Sequence, residues 1–241
     1  HWLTCHGEVV PSAPELKTVI EFSHRIMSAL DGLIVLILLI WAIRIWQKDK
    51  TKSALMKMAV GSFVFVLVEG LIGAGLVLTG NTAGSYTESR PLWAMGHLIS
   101  TFILLIFMTL TAWFANGGKV FSFKTSRTPL VLLGLAAVGI LFVGMSGSLA
   151  ALSNMLFPSQ NLTEGIAKDF SETSHFLLRL RISHPLLAVL ISIYIAFLTM
   201  WVAKKSQSVW TKKFSNYLAI LVFIQVVFGG LTLVMLAPIV M

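Results

Sequence analysis

The chain is short of almost everything that soluble proteins are built with. Only 12% of its 241 residues are charged, about half the share of an ordinary soluble domain. That scarcity excludes a soluble enzyme and a disordered chain. Cysteine occurs once, at Cys5, which excludes a disulfide scaffold, an internal disulfide and any multi-cysteine metal site. The opening segment, residues 1–18, is polar and lacks the pattern of a signal peptide. The first residue is His rather than Met, and the last run is apolar with no polar tail. Both ends therefore read as those of part of a longer chain, or of a mature or partial product.

What the chain has is apolar residues, 56% of the total, with a mean hydropathy of +0.87. Six stretches of 18 or more residues, roughly 22–46, 54–79, 92–115, 129–152, 176–203 and 215–241, are each long enough to cross a bilayer core. The expected fold class is all-α, a polytopic membrane protein. The net charge of +8 and pI near 9.8 suggest nucleic acid in a soluble protein. Here the basic residues sit in short loops between apolar spans, so they report topology and not a nucleic-acid partner. Lys48, Lys50, Lys52, Lys57, Lys119, Lys124, Arg127, Lys204, Lys205, Lys212 and Lys213 fall on one side; Lys17, Arg90 and Lys168 fall on the other. By the positive-inside rule the eleven face the cytoplasm, and both ends of this chain face outward.

Two halves of the sequence resemble each other. Span one carries His24 and span five His184, 160 residues apart, and each is followed by a basic loop and a glycine-bearing span. Aligning Gly73 with Gly229 gives an offset of 156. Glycine and leucine are common in membrane helices, so similarity of that kind alone is weak. The shared order of histidine, loop sign and glycine points to a duplicated bundle, 1–118 and 119–241.

His24, His97 and His184 all fall near the outer membrane boundary on this topology. Polar side chains at membrane depth usually face a cavity, a partner or a cofactor, and imidazole is a common axial ligand of haem iron. One interfacial histidine alone reads as a solvated or hydrogen-bonded side chain. Three at one level in a two-fold repeat point to haem. Glu21, His24, Ser28 and Asp31 share one helix face, as do Arg181, His184, Ala188 and Ser192 on a continuous helix. Arg25, Arg179 and Arg181 lie where haem propionates would want a cation, although arginines at helix ends also simply snorkel. Glu69, near mid-bilayer, reads as a hydrogen-bonded structural residue or part of a proton path. His1, His6 and His175 read as loop or helix-entry residues.

Cys5-His-Gly7 followed by Pro11, the element Glu21-Phe-Ser-His24-Arg25, the stretch Trp93 to Ser100 with His97, and His175 through His184-Pro185 together resemble bacterial haem A synthases. The resemblance runs over essentially the whole chain. It implies eight helices, of which six are seen here, in two four-helix bundles around haem sites. The implied activity is oxidation of the C8 methyl of haem O to the formyl group of haem A, for cytochrome oxidase assembly in the bacterial inner membrane. It implies His24 and His97 as the iron pair for substrate haem, His184 as a ligand of haem b, and Arg25 and Arg181 as cofactor-binding residues. It also implies Glu21 as the functional outer acid and Cys5 as one of two outer cysteines, its disulfide partner lying outside this chain. The implied partners are haem O, haem O synthase, cytochrome oxidase assembly factors and the lipid bilayer, and a homo-oligomer is compatible with the reading. The spacing of Gly73 to His97, carried onto Gly229, puts the partner of His184 at position 253, so one bis-histidine haem at most is expected in these 241 residues. Two other classes compete: a di-haem cytochrome b that exchanges electrons with a quinone, and a transporter coupled through Glu69 and Asp31. The latter needs a broken helix, and only Gly70 to Gly75 hints at one.

Overall fold

A computed structural model describes residues 16–81, 87, 89–119, 127–171 and 173–235. Cys5, His1 and His6 lie outside the described residues. Among these residues the fold is helical without strands: α1 Leu16–Lys48, α2 Ser53–Leu78, α3 Arg90–Ala115, α4 Arg127–Leu156, α5 Leu162–Phe170, α6 Phe176–Arg181, α7 Ser183–Lys205 and α8 Val209–Val234. Six segments are long and apolar enough to cross a membrane, with α6 and α7 together forming the fifth. Their outward surfaces are apolar: Leu71 is 72% exposed and Phe223 68%. Such surface would drive aggregation in water and is ordinary against lipid tails.

The expected spans recover these helices, with two differences. The last span was expected from 215, but α8 begins at Val209, with Ser208 Oγ accepting from Thr211 N at 3.3 Å. Lys212 and Lys213, expected in the loop, therefore lie within the first turns of a helix. The fifth span is not one helix. Pro185 has no N–H to give to the carbonyl of Arg181 and its ring crowds that group, and the chain breaks at Ile182 between α6 and α7. Conversely, α2 runs unbroken through Gly70 to Gly75, which removes the feature that the transporter reading required.

The described residues up to 119 form one compact unit, and those from 127 form another. In the first, α1 and α3 both pack on α2. Near the lysine-bearing end, Ala42 of α1 meets Leu55 and Ala59 of α2, with Leu39, Ile45 and Phe114 around them. The α2–α3 contact is antiparallel and built on small residues, which let backbones approach where lipid supplies no hydrophobic drive. A methyl group on Gly61 would fall 2.2 Å from the Phe107 ring, and one on Gly75 2.6 Å from Trp93. Beside the Gly61 contact Ser62 and Thr111, both buried, meet at 3.3 Å, and Phe65 stacks on Phe107.

The turn after α2 fixes where α3 starts. Gly80 takes φ +70°, and Asn81 N and Gly80 N bond back to Leu76 O and Val77 O at 2.8 and 3.2 Å. This is a Schellman ending, in which a left-handed residue closes the last carbonyls. Asn81 is buried and donates to Thr79 Oγ1 at 2.6 Å and Ser89 Oγ at 3.3 Å, while its own carbonyl accepts from Thr87.

In the second unit α7 packs between α4 and α8. Ala136, Ile195 and Leu198 form its core, Tyr194 Oη donates to Leu132 O at 2.8 Å, and Ile191 lies over Gly139, where a methyl would meet it at 2.6 Å. The short helix α5 starts at Asn161, whose Oδ1 accepts from Glu164 N at 2.8 Å, while Glu164 reaches back to Gln160 N at 2.8 Å. Reciprocal capping of this kind is a strong helix start.

Candidate functional site

Of the three histidines expected at one depth, two are held by the same ring nitrogen. His97 stands seven residues into α3, roughly 10 Å from that helix's start, and Glu69 stands nine residues before the end of α2, roughly 14 Å from it. Because the helices run antiparallel, the two residues meet. Glu69 Oε2 lies against His97 Nδ1, and Oε1 accepts from Ser100 Oγ at 2.5 Å and Thr101 Oγ1 at 2.9 Å. The Glu69 side chain is 14% exposed and the His97 side chain 37%. His97 Nδ1 itself is buried, and the carboxylate sits off the line of an ideal N–H bond to it. The accessible part of the ring is thus the edge away from Glu69.

His184 is the second residue of α7, just past the break. Its Nδ1 lies 3.2 Å from Val143 O and 3.3 Å from Ser146 Oγ, both on α4. A carbonyl only accepts, so a bond to it puts the proton on Nδ1. The ring is seated against Gly147, where a methyl group would fall 2.9 Å from Cε1. A carboxylate in one unit and a carbonyl in the other thus stand at the same ring nitrogen, and a histidine whose Nδ1 gives its proton to such a group has its Nε2 lone pair free for a metal.

His24 is placed differently. Its side chain is exposed on α1, and so are those of Glu21, Ser28 and Asp31. Gly32, Val35 and Ala42 face α2 further along, and by the 3.6-residue period His24 lies on the same stripe, exposed near the start of the helix. Glu21 pairs with Arg25 one turn on. His24 and His97 therefore sit on the two helices that flank α2, and it is Glu69 that the fold brings to His97.

Arg181 does not share a face with His184, because the break at Ile182 intervenes. Its guanidinium, 14% exposed, donates to Asp169 Oδ1 at 2.5 Å and Oδ2 at 3.2 Å, to Asn154 Oδ1 at 2.7 Å and to Gly165 O at 3.0 Å. Those bonds tie α4, α5 and α6 together and leave no free fork for a propionate. His175 is the cap of α6: its Nδ1 accepts from Leu177 N at 3.3 Å, and its ring lies between Phe157 and Phe176.

Glu164, next to this staple, has its carboxyl held below the ordinary glutamate range, first by the Lys168 ammonium at 2.7 Å and then by the Gln160 amide. Gly73 and Gly229, which align the repeat, touch nothing within 4 Å of an added methyl; the packing glycines are Gly61, Gly75, Gly139 and Gly147. Val143, Ser146 and Gly147 were not singled out by sequence reasoning. The run of small residues Ala136, Gly139, Ser146 and Ala150 along α4 was the available signal.

Comparison with known proteins covers the whole chain. The family of cytochrome oxidase assembly proteins matches residues 2–241. A Thermus thermophilus protein named protoheme IX farnesyltransferase is 38% identical over 240 residues, 99% of this chain but 39% of that protein. Proteins named heme A synthase match shorter stretches: 37% identity over 118 residues in Halalkalibacterium halodurans, 49% of this chain and 36% of the relative, and 45% over 82 residues in Geobacillus kaustophilus, 34% of this chain and 25% of the relative. The chain thus spans about two fifths of the Thermus relative's length. No solved structure matches.

Proposed function

The chain belongs to the family of cytochrome oxidase assembly proteins, and from that premise we propose that it is a haem-modifying membrane oxidoreductase. The proposed reaction turns the C8 methyl group of haem O into the formyl group of haem A. Counted against water, that conversion adds one oxygen atom and releases four electrons and four protons, so a separate electron acceptor is required. The observation that carries the reading is the setting of His97 and His184. Each is presented by a membrane helix with Nδ1 turned to a protein oxygen, Glu69 Oε2 in one unit and Val143 O in the other.

The residues fit a haem. His97 has an accessible edge, and His24 stands exposed on α1 beside a carboxylate; these two would hold the substrate haem. His184, seated on Gly147, would hold haem b. Bound iron supplies the redox chemistry. The protein's part is to fix the rings, to exclude water with apolar helices, and to take up protons. Glu21, paired with Arg25, is the acid one turn before His24. Its carboxylate accepts a proton as the methyl group is oxidised, and Arg25 keeps it oriented. Arg181, the last residue of α6, is given the structural part of tying α4, α5 and α6 together in this reading.

The names of the relatives support this placement. The Thermus protein is named for adding a farnesyl group to protoheme, and most of its length lies outside the match, so farnesyl transfer is not carried over to this chain. Haem O is a farnesylated haem. A prenyl transfer to haem is therefore the reaction class that must supply the substrate proposed here. The excess of lysine on one side of the spans supports a multi-pass arrangement with those loops in the cytoplasm.

Glu21→Gln tests the assignment of the acid, since it keeps the shape and removes the charge. In membranes supplied with haem O, haem content is expected unchanged while haem A formation falls by about 10²-fold or more, the scale of general-base loss. Wild-type product yield would remove Glu21 from the mechanism. A helix-start acid serving only the helix dipole is worth about 0.3–1 kcal/mol, and its loss would leave the yield intact.

A further inference from the structure

Glu69 is the sole acid of α2 and has no role in the reaction as proposed above. A carboxylate this deep in a membrane bundle is costly unless its oxygens are satisfied. Here every described partner lies within one turn and a residue of α3: His97, Ser100 and Thr101. The two hydroxyls also lie 3.0 and 2.9 Å from the His97 carbonyl. Each has one proton to give, and the carboxylate is the stronger acceptor. The two hydroxyls thus pin Oε1, and pinning Oε1 leaves Oε2 turned to His97 Nδ1.

A residue needed only to join α2 to α3 would have no reason to be ionic. That contact is already made by Gly61 with Phe107, Ser62 with Thr111 and Gly75 with Trp93. The comparison within the chain is direct. In the second unit the same nitrogen of His184 faces a neutral carbonyl and a hydroxyl; in the first it faces a carboxylate. Resting on the haem reading above, we infer that Glu69 is the positioning residue for the haem-binding His97. It fixes the ring with Nε2 outward and strengthens that nitrogen's donation to iron, as carboxylates behind metal-bound histidines do. A stronger donor favours ferric over ferrous iron. Glu69 therefore holds the His97 haem at a lower midpoint potential than a neutral partner would.

The test uses the full chain, purified with haem bound. Three forms are compared: wild type, Glu69→Gln, whose amide oxygen still accepts from Ser100 and Thr101, and Glu69→Leu, which removes the contact. Thr111→Val, which alters the same interface far from His97, is the packing control. Redox titration and low-spin electron paramagnetic resonance are the readouts. Glu69→Gln is expected to keep its haem with a raised midpoint and shifted g-values. Glu69→Leu is expected to bind haem 10- to 100-fold more weakly, the usual cost of losing such a partner. Thr111→Val should change neither property. If Glu69→Gln retains the wild-type midpoint and g-values, the positioning role is overturned while the haem reading stands. If wild type binds no haem, both fall.

Discussion

Replacing Gly147 by alanine places one methyl group against the His184 ring, whose atoms are its nearest neighbours. The added carbon would lie 2.9 Å from Cε1 and 3.2 Å from Nδ1, closer than such atoms pack. Relieving it means moving the ring by roughly 0.6 Å, which carries Nδ1 from 3.2 Å of Val143 O to beyond hydrogen-bonding range. The lost bond costs about 0.5–1.5 kcal/mol, and overpacking in a fitted site about 1–3 kcal/mol. Alanine in a helix returns about 0.5–1 kcal/mol over glycine. The clash wins, and the net is a loss of about 0.5–4 kcal/mol. Gly73→Ala is the matched control: it adds the same methyl to a helix with nothing within 4 Å, so it keeps only the gain. Thermal unfolding in detergent, followed together with the Soret band, measures both. Gly147→Ala should unfold at lower temperature and lose the haem proposed at His184, while Gly73→Ala should match or exceed wild type. Equal stability and equal haem content in the two variants would refute the seating of His184 on Gly147.

Two further predictions concern the segment between α4 and α7. Arg181→Met leaves Asp169, 11% exposed, without its cation and should cost about 3 kcal/mol, whereas adding Asp169→Leu should recover much of that loss; a double-mutant cycle on unfolding measures it, and additive losses would contradict the pairing. The native pKa of Glu164 is depressed by Lys168 and the Gln160 amide. Its stabilisation of α5 is therefore fully present above the unfolded value and is lost as pH falls through the lowered native one. Amide hydrogen exchange in α5, corrected for intrinsic rates, should be unchanged from neutral pH down to the ordinary glutamate range and rise below it; a rise beginning near neutrality would contradict the assignment.

The spans were legible because a bilayer crossing is written in hydropathy alone, over twenty residues at a time. Features shorter than that window were not. The start of α8 rests on one serine hydroxyl at Ser208, and Lys212 and Lys213 disguised it. The break at Ile182 follows from Pro185, yet periodicity carried across it put Arg181 on the face of His184, and the bonds of Arg181 to Asp169, Asn154 and Gly165 were not legible. Glu69 stood out as a lone acid at depth, and a hydrogen-bonded place in the bundle was among its expected roles. Its pairing with His97, 28 residues on in sequence, depends on the antiparallel register of α2 and α3, which the turn at Gly80 and Asn81 sets. Gly73 and Gly229 align the halves but pack against nothing, while Gly61, Gly75 and Gly147 pack closely; glycine content alone does not tell these apart.

The central claim is that this chain oxidises a haem through a site at His24 and His97. Its most direct measurement is extraction of haem from membranes that contain the full chain and a supply of haem O, with identification by mass and by pyridine haemochrome spectrum. Wild type should yield haem A, with the mass and band shift of a methyl group turned into a formyl group. His97→Leu should yield haem O without haem A. Haem O or haem b recovered unmodified from wild-type membranes, under conditions where the chain is folded and haem-loaded, would contradict the claim and leave an electron-carrying cytochrome in its place.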